Sequence, residues 1–120
     1  FIQLGGRAAL SGDQSFLTER IKILKERRDL LIQGLNNLPG MSCTLPEGAF
    51  YAFPNIKNTG LNPDEYSEKL LQETGVCLLP GTCFGESGKD YVRLCYASTD
   101  LNIIEETLDK MKKFHNKIMR

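Results

Sequence analysis

Apolar positions along this chain change their spacing from block to block, and the spacing predicts the elements. Leu17, Ile21, Leu24, Leu31, Leu35 and Leu38 recur at alternating steps of three and four, with Arg28 filling the gap in the stripe. Phe16, Ile23 and Leu30 widen it, as in a helix that lies on a core. Ser11, Gly12 and Asp13 offer capping groups before the run, and Pro39 and Gly40 stop it. The expectation is a helix of about 25 residues, near 37 Å at about 1.5 Å per residue. A helix that long in so small a chain is expected to reach past its own core and brace another domain. Ahead of it FIQLGGRAAL is short, and Gly5 and Gly6 break any long helix there.

Further along, residues 41–45 and 49–53 place strand-forming residues on both sides of the turn formers Pro46, Glu47 and Gly48, predicting two short strands. A polar loop follows. Asn62 then suits an N-cap, Pro63 the first helical position, and Asp64 and Glu65 the positive end of the helix dipole. This helix turns Tyr66, Leu70 and Leu71 inward and ends at Gly75. Residues 76–79 read as a buried strand, then comes the loop PGTCFGESGKD, then a strand at 91–97. Ser98, Thr99 and Asp100 start a last helix with Leu101, Ile104, Leu108, Met111 and Ile118 on one face. This mixture predicts an α+β fold: a small sheet, mostly antiparallel or mixed, with helices packed on one face. There is no internal repeat, low-complexity tract or linker.

Composition narrows the function classes. At 120 residues the chain has the size of one domain. Its 15 basic and 15 acidic residues balance, which gives no electrostatic reason to expect nucleic acid or an anionic membrane as partner. No apolar run approaches the roughly 20 residues that span a bilayer, and the N-terminus lacks the charged-then-apolar pattern of a signal. The expectation is a soluble, cytoplasmic protein. Because the chain opens on Phe1 and not on Met, it is expected to be a processed or trimmed piece. Cys43, Cys77, Cys83 and Cys95 form no C-x-x-C pair and His115 is the single histidine, which argues against zinc. Cys77 and Cys95, inside apolar strand-like runs, are expected to be buried reduced thiols.

Arg93 is the most informative polar residue. Alternation in a strand sets Val92, Leu94 and Tyr96 on one face and leaves Tyr91, Arg93, Cys95 and Ala97 on the other. An arginine among such neighbours is costly to bury without an anion, and its planar fork suits a carboxylate. A solvated face, or a structural glutamate partner, is the bland alternative. The loop PGTCFGESGKD is not a phosphate-binding loop: its Gly88–Lys89 pair is followed by Asp90, and the next element reads as a strand, not a helix. His115, without a second histidine or a matched nucleophile, reads as solvated helix face. The lysines at 110, 112, 113 and 117 alternate with Glu105, Glu106 and Asp109 as the polar side of the last helix. Glu47 and Tyr51 flank a turn in which Gly48 would let the backbone approach a ligand, although an ordinary hairpin with an aromatic behind it explains the same residues.

Three segments, in this order, carry a resemblance: PEGAFYAFPNI at 46–56, GVCLLPGTCFG at 75–85 and YVRLCYASTDLNIIEETLDKM at 91–111. RRDLLIQGLNNLPGMSC at 27–43 leads into the first. Together they resemble the C-terminal small domain of fold-type I, pyridoxal-phosphate-dependent aminotransferases of the aspartate and aromatic amino-acid group. The resemblance covers nearly the whole chain, least securely residues 1–12. It implies that residues 13–120 form the substrate-clamping domain and that 1–12 are the remnant of the connection to a large domain. It implies that Arg93 holds the α-carboxylate of an amino-acid substrate, with Gly48, Phe50 and Tyr51 near the mouth of the site. It implies pyridoxal 5′-phosphate as cofactor of an intact, homodimeric enzyme that exchanges an amino group between an L-amino acid, aspartate-like or aromatic, and a 2-oxo acid. The Schiff-base lysine of that family belongs to the large domain, so this segment alone is expected to be inactive. The alternatives are a non-catalytic amino-acid-binding module, or a domain of a lyase or decarboxylase relative.

Overall fold

The computed structural model describes residues 1–119. Four helices and a small sheet alternate along the chain: α1 (Ile2–Ser11), α2 (Ser15–Asn36), β1 (Tyr51–Ala52), α3 (Pro63–Thr74), β2 (Leu79–Pro80), β3 (Val92–Cys95) and α4 (Leu101–Ile118). The sheet order is β1-β3-β2 and both pairings are antiparallel, with Tyr51 opposite Cys95 and Leu79 opposite Arg93. The α+β expectation is met.

Alternation along β3 fixes which face is covered. Val92, Leu94 and Tyr96 are buried, with Ala52 beside them, against Leu31 and Leu35 of α2, Tyr66 and Leu70 of α3, and Met111 and Phe114 of α4. Each valine, leucine, methionine or phenylalanine among them, fully buried, contributes about 1.5–3 kcal/mol. Arg93 and Cys95 point the other way, together with the exposed Tyr51, Phe53 and Leu79. The helices therefore pack on one side and leave the opposite sheet face open.

Several elements differ from the sequence expectation. α1 runs straight through Gly5 and Gly6 for ten residues, with every position exposed. α2 is 22 residues long, and its stripe divides: Phe16, Leu17, Ile21 and Ile23 are exposed, whereas Leu31, Ile32 and Leu35 are sealed. The strand expected at 41–45 is reduced to a single bridge between Ser42 and Asn55. The reason lies seven residues back: the Asn36 side chain takes both backbone groups of Cys43, accepting from its N–H at 2.7 Å and donating to its carbonyl at 3.0 Å. The strand expected at 76–79 begins only at Leu79, because Thr74 Oγ1 accepts from Val76 N–H at 3.2 Å. Pro80 is tolerated there because β2 is an edge strand. Cys77 and Cys95 are exposed rather than buried: Cys77 precedes the ladder and Cys95 lies on the open face; Cys43 is the buried thiol. No helix among the described residues is long and apolar enough to cross a membrane.

His115 is the largest correction. It is fully buried, not solvated. One ring nitrogen, Nδ1, lies 2.7 Å from the Pro39 carbonyl and the other, Nε2, 2.6 Å from the Tyr66 hydroxyl, tying α4 to α3 and to the turn after α2. That turn has its own constraint. Gly40 has φ +77°, and a Cβ there would sit 2.9 Å from the Asn58 carbonyl oxygen. Gly40→Ala is expected to lower stability by about 2 kcal/mol, read as a shift in the urea midpoint at constant slope.

Candidate substrate site

The open face of the sheet carries the candidate site. β3 holds Arg93 half-buried at its centre, and β1 and the loop after β2 bring aromatic rings to it from two sides. The guanidinium carbon lies 4.5 Å from the ring centroid of Tyr51 and 4.5 Å from that of Phe84. Phe50 sits against Tyr51, with centroids 4.8 Å apart, and Phe53 meets Phe84 edge-on at 6.0 Å while stacking on Tyr91 at 5.3 Å. Rings contact the face of a guanidinium and leave its N–H edge for an anion. Among the described residues no carboxylate pairs with Arg93; the three ion pairs are Arg28–Asp29, Lys110–Glu106 and Lys117–Glu73. The bland alternative of a structural glutamate partner is not realised within the described residues. What the arrangement can do is receive a planar, bidentate anion from solvent onto a fork held among aromatic rings.

Of the residues singled out from the sequence, Tyr51 reaches Arg93 directly and Phe50 joins through Tyr51. Gly48 lies elsewhere. It lines a cleft of about 300 Å³ with Ile21, Leu24, Arg28 and Tyr96, the last of which stands on the core side of β3. There the turn is tied down: Arg28 donates to the Pro46 carbonyl at 3.1 Å and the Tyr96 hydroxyl to that of Ala49 at 3.3 Å. Ala49 adopts φ +58°, a left-handed conformation that costs a non-glycine residue about 1–2 kcal/mol. Phe84 and Phe53 are the site residues that sequence reasoning did not single out. The signal was an aromatic residue in each of two quoted segments, PEGAFYAF and PGTCFG, flanking the arginine strand.

The family model described as aminotransferase class I and II matches residues 2–111. This chain belongs to that family. It is 41% identical over 107 residues to the aspartate aminotransferase of Pyrococcus horikoshii, covering 88% of this chain and 27% of that relative. It is 40% identical over 115 residues to aromatic-amino-acid aminotransferase 2 of Thermococcus litoralis, covering 94% and 29%. Among solved structures, the alanine aminotransferase from Pyrococcus furiosus superposes with a TM-score of 0.87 at 38% identity over 92% of this chain and 28% of that one. The chain thus spans somewhat over a quarter of the length of these aminotransferases.

Pyridoxal phosphate, which membership of this family implies, does not fit the residues present. Its aldehyde needs a sheltered lysine amine, brought to reactivity by a desolvated or cationic pocket. Eight of the nine lysines are exposed, and Lys110, half-buried, is held by Glu106 at 2.7 Å. What the described residues of this segment do present is the arginine with aromatic rings beside it on the open sheet face.

Proposed function

We propose that this chain is the C-terminal, substrate-clamping domain of an aminotransferase that moves an amino group between an L-amino acid and a 2-oxo acid, with Arg93 holding the substrate α-carboxylate. The observation that carries the reading is Arg93 itself, half-buried on the open sheet face, with its guanidinium carbon 4.5 Å from each of two ring centroids and without a carboxylate partner among the described residues. A bidentate clamp orients the substrate so that its amine meets the cofactor in one pose, converting an encounter into a positioned reaction. Residues 13–120 form the clamp, and 1–12 belong to the connection toward a larger domain that supplies cofactor and lysine. The exposed apolar side chains of α1 and early α2, among them Ile2, Leu4, Leu10, Phe16, Leu17 and Ile21, support that connection, because a run of that size is unusual on a free surface. The reading extends to a homodimeric, pyridoxal-phosphate-dependent, cytoplasmic enzyme acting on aspartate-like or aromatic amino acids, as the names of its relatives suggest.

One assay tests this. The purified full-length protein, given an amino acid and a 2-oxo acid with pyridoxal phosphate, is expected to form the exchanged pair, and residues 1–120 alone under the same conditions are expected to form none. Release of ammonia or carbon dioxide in place of the new 2-oxo acid would replace transamination by elimination or decarboxylation. Turnover by residues 1–120 alone would remove the need for a second domain.

A further inference from the structure

We propose that Phe84 is a positioning residue, which stacks on Arg93 and sets its guanidinium in the orientation that receives a substrate carboxylate. The inference rests on the reading of Arg93 as the clamp and adds the group that aims it. An arginine side chain carries much rotamer entropy, so a free fork on an open face would lose much of its attraction to ordering. Here two rings stand within 4.5 Å of the guanidinium carbon. Tyr51 comes from the neighbouring strand, and Phe84 from the loop after β2.

The loop is built to deliver that ring. Gly81–Phe84 and Glu86–Gly88 form two short 3₁₀ turns, and the backbones of Gly81 and Gly88 press against each other. A Cβ on Gly81 would collide with the Gly88 and Tyr91 carbonyl oxygens, and one on Gly88 with the Gly81 carbonyl. Gly81 N–H donates to the Tyr91 carbonyl at 2.7 Å, closing the loop onto the base of β3 two residues before Arg93. At the turn between the two 3₁₀ segments, Gly85 takes φ +112°, a value a side chain would resist. The glycines that superficially suggest a phosphate cradle therefore serve close backbone packing, and the product of that packing is the place of Phe84. Phe53 then braces the ring edge-on from β1's end of the sheet.

The test is a double-mutant cycle in the full-length protein with Phe84→Leu, Phe84→Tyr, Arg93→Ala and the Phe84→Leu/Arg93→Ala pair. A cation–π contact of this kind predicts that Phe84→Leu raises KM for both the amino acid and the 2-oxo acid about tenfold, with kcat within about twofold. Phe84→Tyr keeps the ring and is expected to restore KM. In the Arg93→Ala background Phe84→Leu is expected to change kcat/KM by less than about twofold, since there is no fork left to aim. Unchanged KM in Phe84→Leu, an undiminished effect in the Arg93→Ala background, or no rescue by tyrosine would each overturn the positioning role while a severe Arg93→Ala loss left the clamp standing. A neutral Arg93→Ala would instead remove the clamp, and this inference with it.

Discussion

Arg93→Ala in the full-length protein is expected to lower kcat/KM for the amino-acid substrate by about a hundredfold or more, with cofactor content retained. Truncating one member of a desolvated, hydrogen-bonded charge pair costs about 2–5 kcal/mol, which spans that range. The loss is expected in kcat as well as KM, because a carboxylate held by two parallel hydrogen bonds fixes the pose of the amine and not merely its occupancy. Arg93→Lys is expected to recover little: an ammonium supplies charge but neither the fork nor the flat face that Tyr51 and Phe84 contact. Steady-state kinetics with cofactor absorbance measured on the same samples decides the matter. An unchanged kcat/KM would take Arg93 out of the site.

The second large effect is on stability. His115→Leu is expected to destabilise the protein by about 2 kcal/mol, since it strands the buried Tyr66 hydroxyl, at roughly 1–3 kcal/mol for an unsatisfied group, and removes the donor to the Pro39 carbonyl at the core's edge. The bonding also predicts a pH dependence. The Pro39 carbonyl accepts, so Nδ1 carries the proton, and Nε2 accepts from Tyr66, whose phenol burial holds well above its ordinary range. A second proton would put a charge in a sealed site and take away Tyr66's acceptor. Burial accordingly lowers the His115 pKa from 6.5, against a smaller opposing effect of the Pro39 bond. With the folded value below the unfolded one, the contribution is complete above about pH 6.5. It is lost as pH falls below that, while the unfolded chain takes up a proton the folded chain refuses. Urea midpoints between pH 8 and pH 5 should fall more steeply for the natural chain than for His115→Gln; equal slopes would assign the effect to other groups.

How much of this was legible in the sequence follows from how local each signal is. α3 was readable residue by residue: Asn62 does accept from Glu65 N–H at 2.9 Å, Pro63 opens the helix, and Gly75 closes it at φ +74°. The start of α4 was equally plain, with Asp100 accepting from Ile103 N–H at 2.9 Å. Strands were less so, because what shortened them was remote in sequence, as when Asn36 took the backbone of Cys43. His115 was misjudged although a clue was present: steps of four and three from Ile104 through Leu108 and Met111 land on 115 before reaching Ile118. A histidine on an apolar stripe is better read as buried and bonded. The arginine was found by strand alternation, whereas Phe84 was not, since a short turn has no period to reveal which way its ring points.

The division of α2 into a sealed half and a bare half gives the molecule a mechanical property. Its long axis is 57 Å against 31 and 24 Å across, and the excess length is the helical arm. From Leu24, partly buried, to Leu31, fully buried, the helix becomes rooted in the same core that backs the sheet. A helix is stiff over such a span, so the arm and the sheet turn together. A tilt of about 5° over roughly 24 Å of helix displaces its far end by about 2 Å, approaching the reach of a hydrogen bond. A body that gripped the bare half would thus hold a lever on the arginine-bearing face of the sheet.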